Sequence, residues 1–161
     1  MKQFIIKRCL IIISYKPDET FLEMVKRISE QTVAINRIII YNVEQKYFDR
    51  IAYSAKFSSD YKNAEVHHIS RREYDNGKTR NQAVKCSDAD YFIMMYQDAV
   101  PEGNDLVEKL VKSIEGNKDI AVSFARQIEK ENSREYAKII SRYFFPDDSY
   151  VRSIEDENLA E

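Results

Sequence analysis

Runs of apolar residues that do not alternate with polar ones limit this chain to few folds. Cys9 to Ile13 is unbroken, Arg37 to Tyr41 is Ile-rich without alternation, and Tyr91 to Tyr96 reads as a buried central strand. Strands of that kind are covered on both sides and belong to parallel sheets between helical layers. Helical patterns lie between them. Asp18 to Gln31 puts Phe21, Met24 or Val25, and Ile28 on one face. Gln45 to Phe57 turns Tyr47, Phe48, Ile51, Ala52 and Ala55 inward. Asp105 to Glu115 carries Leu106, Leu110, Val111 and Ile114 and stops at Gly116-Asn117. Shorter strands over Glu65 to Ile69 and Ile120 to Phe124, and helices over Thr79 to Cys86 and Ser133 to Tyr143, complete the series. The first strand reads from Phe4 to Ser14. Strands separated by helices imply βαβ units, hence a three-layer α/β/α sandwich with a mostly parallel, Rossmann-like sheet.

A length of 161 residues suits one domain. We expect it over residues 1–146, with 147–161 as a polar, mobile tail anchored only by Val151, Ile154 and Leu159. A net charge of −2 gives no reason to expect nucleic acid, and the eleven tyrosines are too scattered for a base-stacking platform. Cys9 and Cys86 are too few for a disulfide framework and read as reduced, buried thiols. The run Cys9 to Ile13 is far too short for a signal core or a membrane span. The expectation is a cytoplasmic protein without a transmembrane segment.

The chemistry concentrates in Glu73-Tyr74-Asp75-Asn76-Gly77-Lys78-Thr79-Arg80-Asn81 and in Met94-Met95-Tyr96-Gln97-Asp98-Ala99-Val100-Pro101. The first reads as a loop entering a helix, the second as a strand that runs into a carboxylate. At the carboxyl end of an open α/β sheet, such groups suit an anionic ligand and a divalent cation. Asp75 is a hydrogen-bond acceptor, Arg80 a permanent charge for phosphate, and Asn81 a loop brace or ligand contact. The alternative is a capped helix start with Arg80 solvated. For Asp98 the alternative is a turn aspartate ahead of Val100-Pro101.

Two look-alikes carry no such reading. Asp88-Ala89-Asp90 is a literal D-x-D, but it precedes the strand and falls at the wrong end of the sheet. Gly77-Lys78-Thr79 imitates a phosphate-binding loop, yet Arg72 stands where that pattern needs its first glycine. His67 and His68 are neighbours on a strand, point to opposite faces and cannot share a metal.

Tyr74 to Asn81 and Met94 to Pro101 together resemble the donor half of family-2 inverting glycosyltransferases of the GT-A fold. The rhamnosyltransferase-like branch is the nearest, with its F-D-H-G-x-T-R-N and F-M-T-Q-D-A-x-P patterns. Asn76 replaces the family histidine, and Tyr96 replaces a threonine. The resemblance implies that Asp98 holds Mg²⁺ or Mn²⁺ against a nucleotide-diphosphate sugar. It also implies that Ser14, Tyr15, Asn42, Asp75, Arg80, Asn81 and Gln97 line the nucleotide-sugar site. Tyr15 and Tyr41 read equally as packing residues. Many members carry an aspartate after the second strand; Asn42 and Glu44 stand there here.

The resemblance runs from the first strand to about Pro146 and covers about half of a usual member. A general base is needed to deprotonate the acceptor, and the family places it in a later segment. Glu155-Asp156 falls in the polar tail and reads as solvated. The expectation is therefore an apparently truncated, donor-binding part of a glycosyltransferase for a polysaccharide or similar acceptor. Its partners would be the missing carboxyl-terminal half or another copy of itself. The alternative is a non-catalytic binding or assembly module derived from such a fragment.

Overall fold

Four parallel strands form one sheet in the order β3-β2-β1-β4. They are β1 (Arg8–Tyr15), β2 (Arg37–Val43), β3 (Ala64–Ile69) and β4 (Tyr91–Tyr96). Six helices accompany them: α1 (Glu19–Ser29), α2 (Gln45–Ser54), α3 (Phe57–Asp60), α4 (Asn76–Ser87), α5 (Leu106–Glu115) and α6 (Glu135–Phe144). The computed structural model describes residues 6–54 (side chains to 51), 56–129, 133–146 and 148–153. Phe4, the side chains of Ala52 and Ala55, and Ile154, Glu155, Asp156 and Leu159 of the tail lie outside the described residues. The chain divides into two compact units, one ending at Ser123 and the other beginning at Phe124.

Side chains alternate between the two faces of the sheet, and each face has its own core. On one face Leu10, Ile12, Ile38 and Ile40 meet Phe21, Met24, Val25 and Ile28 of α1, Phe48 of α2, and Val107 and Val111 of α5. Phe21, Phe48 and Phe57 close this side as a ring cluster, with centroids 5.4 to 5.9 Å apart. Asp18 caps α1 by accepting from the N–H of Thr20 at 2.9 Å and of Phe21 at 3.4 Å. Buried Gln31 then ties α1 to α5. Its Nε2 donates to Arg27 O and Gly103 O, while its Oε1 accepts from Val107 N.

On the other face Cys9, Ile11, Ile39 and Tyr41 lie under α4. That helix buries only Thr79, Ala83 and Ser87, spaced four apart, so its backbone comes close to the sheet. Ala83 is fully buried in this seam. Ala83→Leu should therefore cost about 1–3 kcal/mol by overpacking. Urea unfolding would check this, with Lys85→Leu on the exposed side of α4 as the near-neutral control.

The three-layer, parallel architecture stands as expected, with four local differences. β4 is an edge strand among the described residues, not a central one. Its Phe92, Met94 and Tyr96 are exposed on the α4 face because α4 sits over β1 and β2. The expected strand over Ile120 to Phe124 does not form. A β-prone run becomes a strand only when a neighbour takes its peptide groups. Here Ile120 N closes a turn onto Asn117 O at 3.1 Å, and residues 121–129 are irregular. The Gln45 to Phe57 helix is broken, because Lys56 adopts φ 50° and α3 starts afresh at Phe57. Cys86 is exposed rather than buried, being one position off the Thr79–Ala83–Ser87 stripe. In the second unit α6 buries none of its side chains, and Ile139, Ile140 and Tyr143 are exposed, as is Val122 in the first.

Candidate functional site

The strand order reverses at β1: β2 and β3 extend to one side and β4 returns on the other. In open α/β sheets, the crevice at the carboxyl ends beside such a switch point is where ligands sit. Tyr15 ends β1 there, and Gln97 and Asp98 follow β4. The loop after β3 brings Tyr74 and Asp75 to the same edge, where α4 begins. Its helix N-terminus adds a positive dipole end to that edge.

Lys16 and Glu44, the residues just past β1 and β2, have φ of 50° and 67°. Residues other than glycine populate this region sparsely, so the edge is built from held turns. Glu44 is held on both sides. Its N–H donates to Ile69 O at 2.9 Å, and its carboxylate accepts from Arg71 N at 3.0 Å. Lys16 Nζ lies 5.2 Å from the ring centroids of both Tyr15 and Tyr47, which meet edge to face at 5.6 Å. Lys46 approaches the Tyr47 ring at 5.0 Å. An aromatic pair with cations beside it has the chemistry to accept a flat, anionic ligand.

Of the residues expected to line the site, Ser14 and Asn42 are fully buried beneath it. Ser14 Oγ donates to Asn42 Oδ1 at 3.1 Å, and Asn42 Nδ2 meets His68 Nδ1 at 3.2 Å, with roles set by the imidazole tautomer. They brace the floor of the edge across three strands. Asp75 caps α4, its Oδ1 accepting from Lys78 N at 2.8 Å. Arg80, half-buried, holds its guanidinium 5.7 Å from the Tyr96 ring centroid. Asn81 is exposed on α4. Gln97 turns its amide to the backbone of Tyr15. Tyr41 is a core residue, stacked on His67 at 4.9 Å, and burial pushes its phenol above the usual range. His67 and His68 are on opposite faces, as their adjacency requires.

Asp98 is exposed, and no hydrogen bond or ion pair with another described residue occupies its carboxylate. Among the described residues no three His, Cys, Asp or Glu side chains cluster as a ready-made metal cage. A single open carboxylate still fits Mg²⁺ or Mn²⁺, ions that keep waters and complete their shell with ligand phosphates. The D-x-D look-alike is structural. Asp88 pairs with Lys7 Nζ at 3.0 Å, which holds its carboxyl below the usual range, and Asp90 accepts from Lys7 N at 2.8 Å, all at the amino edge.

A family model described as glycosyl transferase family 2 matches residues 9–158. The chain belongs to glycosyl transferase family 2. The chain is similar to the O-antigen chain rhamnosyltransferase RfbN of Salmonella typhimurium, 28% identical over 151 residues. The match covers 93% of this chain and 46% of that protein, so the family-2 chain spans less than half the length of its relative. The crystal structure of S. aureus TarS 1-349 aligns with a TM-score of 0.56 at 15% identity, over 80% of this chain and 37% of that one. The same protein in complex with UDP-GlcNAc gives 0.53 at 16% identity, over 70% and 32%. The family-2 sheet and its helices thus have the GT-A fold. No helix among the described residues is long and apolar enough to cross a membrane.

Sequence reasoning missed Tyr47. Tyr47 was expected to face inward from α2, but it is half-exposed beside Tyr15. Its position three residues into a helix that starts directly after β2 is the signal that places it at the carboxyl edge.

Arg80 bears on this family-2 edge in a testable way. Arg80→Ala should weaken a nucleoside diphosphate by about 1.5–3 kcal/mol, the worth of a charge-assisted hydrogen bond, and leave the free nucleoside nearly untouched. Calorimetry with UDP and uridine would separate these; equal losses would make Arg80 a structural residue of α4.

Proposed function

We propose that this chain is the donor-binding part of an inverting glycosyltransferase, taking a nucleotide-diphosphate sugar in the crevice between the ends of β1 and β4. The observation that carries the reading is the exposed Asp98 carboxylate just past the carboxyl end of β4 at the topological switch point, unpaired among the described residues. In this reading Tyr15 and Tyr47 flank the base, Lys16 and Arg80 meet the diphosphate, and Asn81 lies at the rim. Ser14 and Asn42 brace the floor, and Asp75 caps α4 at the edge. Asp98 would hold Mg²⁺ or Mn²⁺, which supplies charge neutralisation for the diphosphate when bound.

The name of the 28% identical relative makes rhamnose donors the first to try and a polysaccharide the first acceptor class. The reading assigns no general base to the carboxyl edge, where Glu44 and Asp75 are already engaged with backbone N–H groups. Sugar transfer would then need groups beyond these, and the chain alone would bind donor without transferring it. A second reading, a non-catalytic assembly module, is favoured by the exposed apolar residues of α6.

Titration with UDP, GDP and dTDP, each with Mn²⁺ and with chelator, tests the reading. Tighter binding of at least one nucleotide with Mn²⁺ is expected. Absence of binding to all three would leave the assembly module.

A further inference from the structure

The β1–β4 ladder ends at Ile13 opposite Tyr96, after which β4 turns away and Ala99 N closes onto Tyr96 O at 3.2 Å. Tyr15, two residues further along β1, has no peptide of β4 beside it. Its N–H instead donates to Gln97 Oε1 at 2.9 Å, and its C=O accepts from Gln97 Nε2 at 3.1 Å. A primary amide carries the same donor and acceptor as a peptide group, and here both are used. The oxygen and nitrogen of Gln97 are assigned by these partners, since an N–H needs an acceptor and a carbonyl needs a donor.

We propose that Gln97 is a positioning residue whose side chain stands in for the missing peptide of β4. It clips the end of β1, so that Tyr15 and the neighbouring Asp98 keep a fixed separation across the crevice. The positioning claim rests on the reading of this crevice as a nucleotide site; the clip itself does not. Gln97 therefore acts through Tyr15 rather than by touching the ligand. The left-handed turn at Lys16 starts directly after the clipped residue, so the clip also anchors the turn that brings Lys16 to the Tyr15 and Tyr47 rings.

Two substitutions in the full chain test this. Gln97→Met keeps the length and removes both polar groups. In Gln97→Glu the carboxylate accepts from Tyr15 N–H but repels Tyr15 C=O, and only the protonated acid restores both bonds. Amide hydrogen exchange at Tyr15, corrected for the intrinsic rate, should show protection in the wild type at pH 4.5 and 7.5. Protection should be lost at both pH values in Gln97→Met, and reduced at pH 7.5 but regained at pH 4.5 in Gln97→Glu. Affinity for UDP or dTDP with Mn²⁺ at pH 7.5 should fall about fivefold in Gln97→Met, the worth of one ordinary hydrogen bond.

Unchanged Tyr15 protection in Gln97→Met overturns the clip. Lost protection with unchanged affinity overturns its positioning role, and weaker binding with intact protection makes Gln97 a direct ligand contact. If the wild type binds neither nucleotide, the nucleotide reading and the positioning role fall together, and the exchange result still decides the clip.

Discussion

Asp98→Asn is expected to remove the gain in nucleoside diphosphate affinity that Mn²⁺ provides, and to leave the affinity measured in chelator unchanged. The asparagine keeps size and one neutral oxygen but loses the charge that a hard cation requires. No described neighbour uses the carboxylate, so the substitution should leave thermal stability unaltered. The loss should reach at least the roughly 10–100-fold that changes in a metal site's outer shell cost. Asp90→Asn is the matched comparison. Asp90 accepts from Lys7 N at the opposite edge of the sheet, so its replacement should preserve the Mn²⁺ gain. Equal Mn²⁺ dependence in the two variants would remove Asp98 from the site.

The largest effect on stability is expected from Phe21→Ala, at about 3–5 kcal/mol. Phe21 is fully buried, lies 5.9 Å from the rings of both Phe48 and Phe57, and joins α1 to the Ile-rich face of β1 and β2. The two remaining rings, Phe48 and Phe57, cannot collapse smoothly into the space Phe21 leaves, so most of the cavity would persist. Against a total of about 5–15 kcal/mol for a domain, that is a large fraction. Ile139→Ala on exposed α6 should stay within about 0.5 kcal/mol. Urea unfolding of both variants gives the comparison, and a loss below about 1 kcal/mol at Phe21 would contradict the core as described.

Residue patterns carried the parallel sheet because Cys9–Ile13 and Ile38–Tyr41 are apolar on both faces, and only a covered strand needs that. The face of α1 was legible for the same reason, since Phe21, Met24, Val25 and Ile28 repeat at helical spacing. The place of β4 was not legible. Its apolar run looks like that of a central strand, but whether a neighbour covers Phe92, Met94 and Tyr96 depends on where other segments lie, which no local pattern encodes. The run at Ile120 to Phe124 failed for a related reason: β propensity without a ladder partner yields no strand.

At the site, Asp98, Arg80 and Asp75 could be singled out from residue type and order, and all three lie at one edge. Ser14 and Asn42 were expected to line the pocket, whereas their polar atoms satisfy each other beneath it. The amide of Gln97 could be read as a ligand contact from sequence, because nothing in a linear pattern shows that the β1–β4 ladder stops two residues short of Tyr15.

The most direct test of a nucleotide site at the β1–β4 crevice is paramagnetic broadening of backbone amide signals by Mn²⁺ in the presence of UDP or dTDP. The amides of Tyr15, Lys16 and Gln97 to Ala99 should lose intensity first. Those of Asp88 to Asp90 should keep theirs, lying a six-residue strand, about 20 Å, away. Broadening centred on Asp88 to Asp90, or none with nucleotide present, would contradict the assignment of the site to this edge.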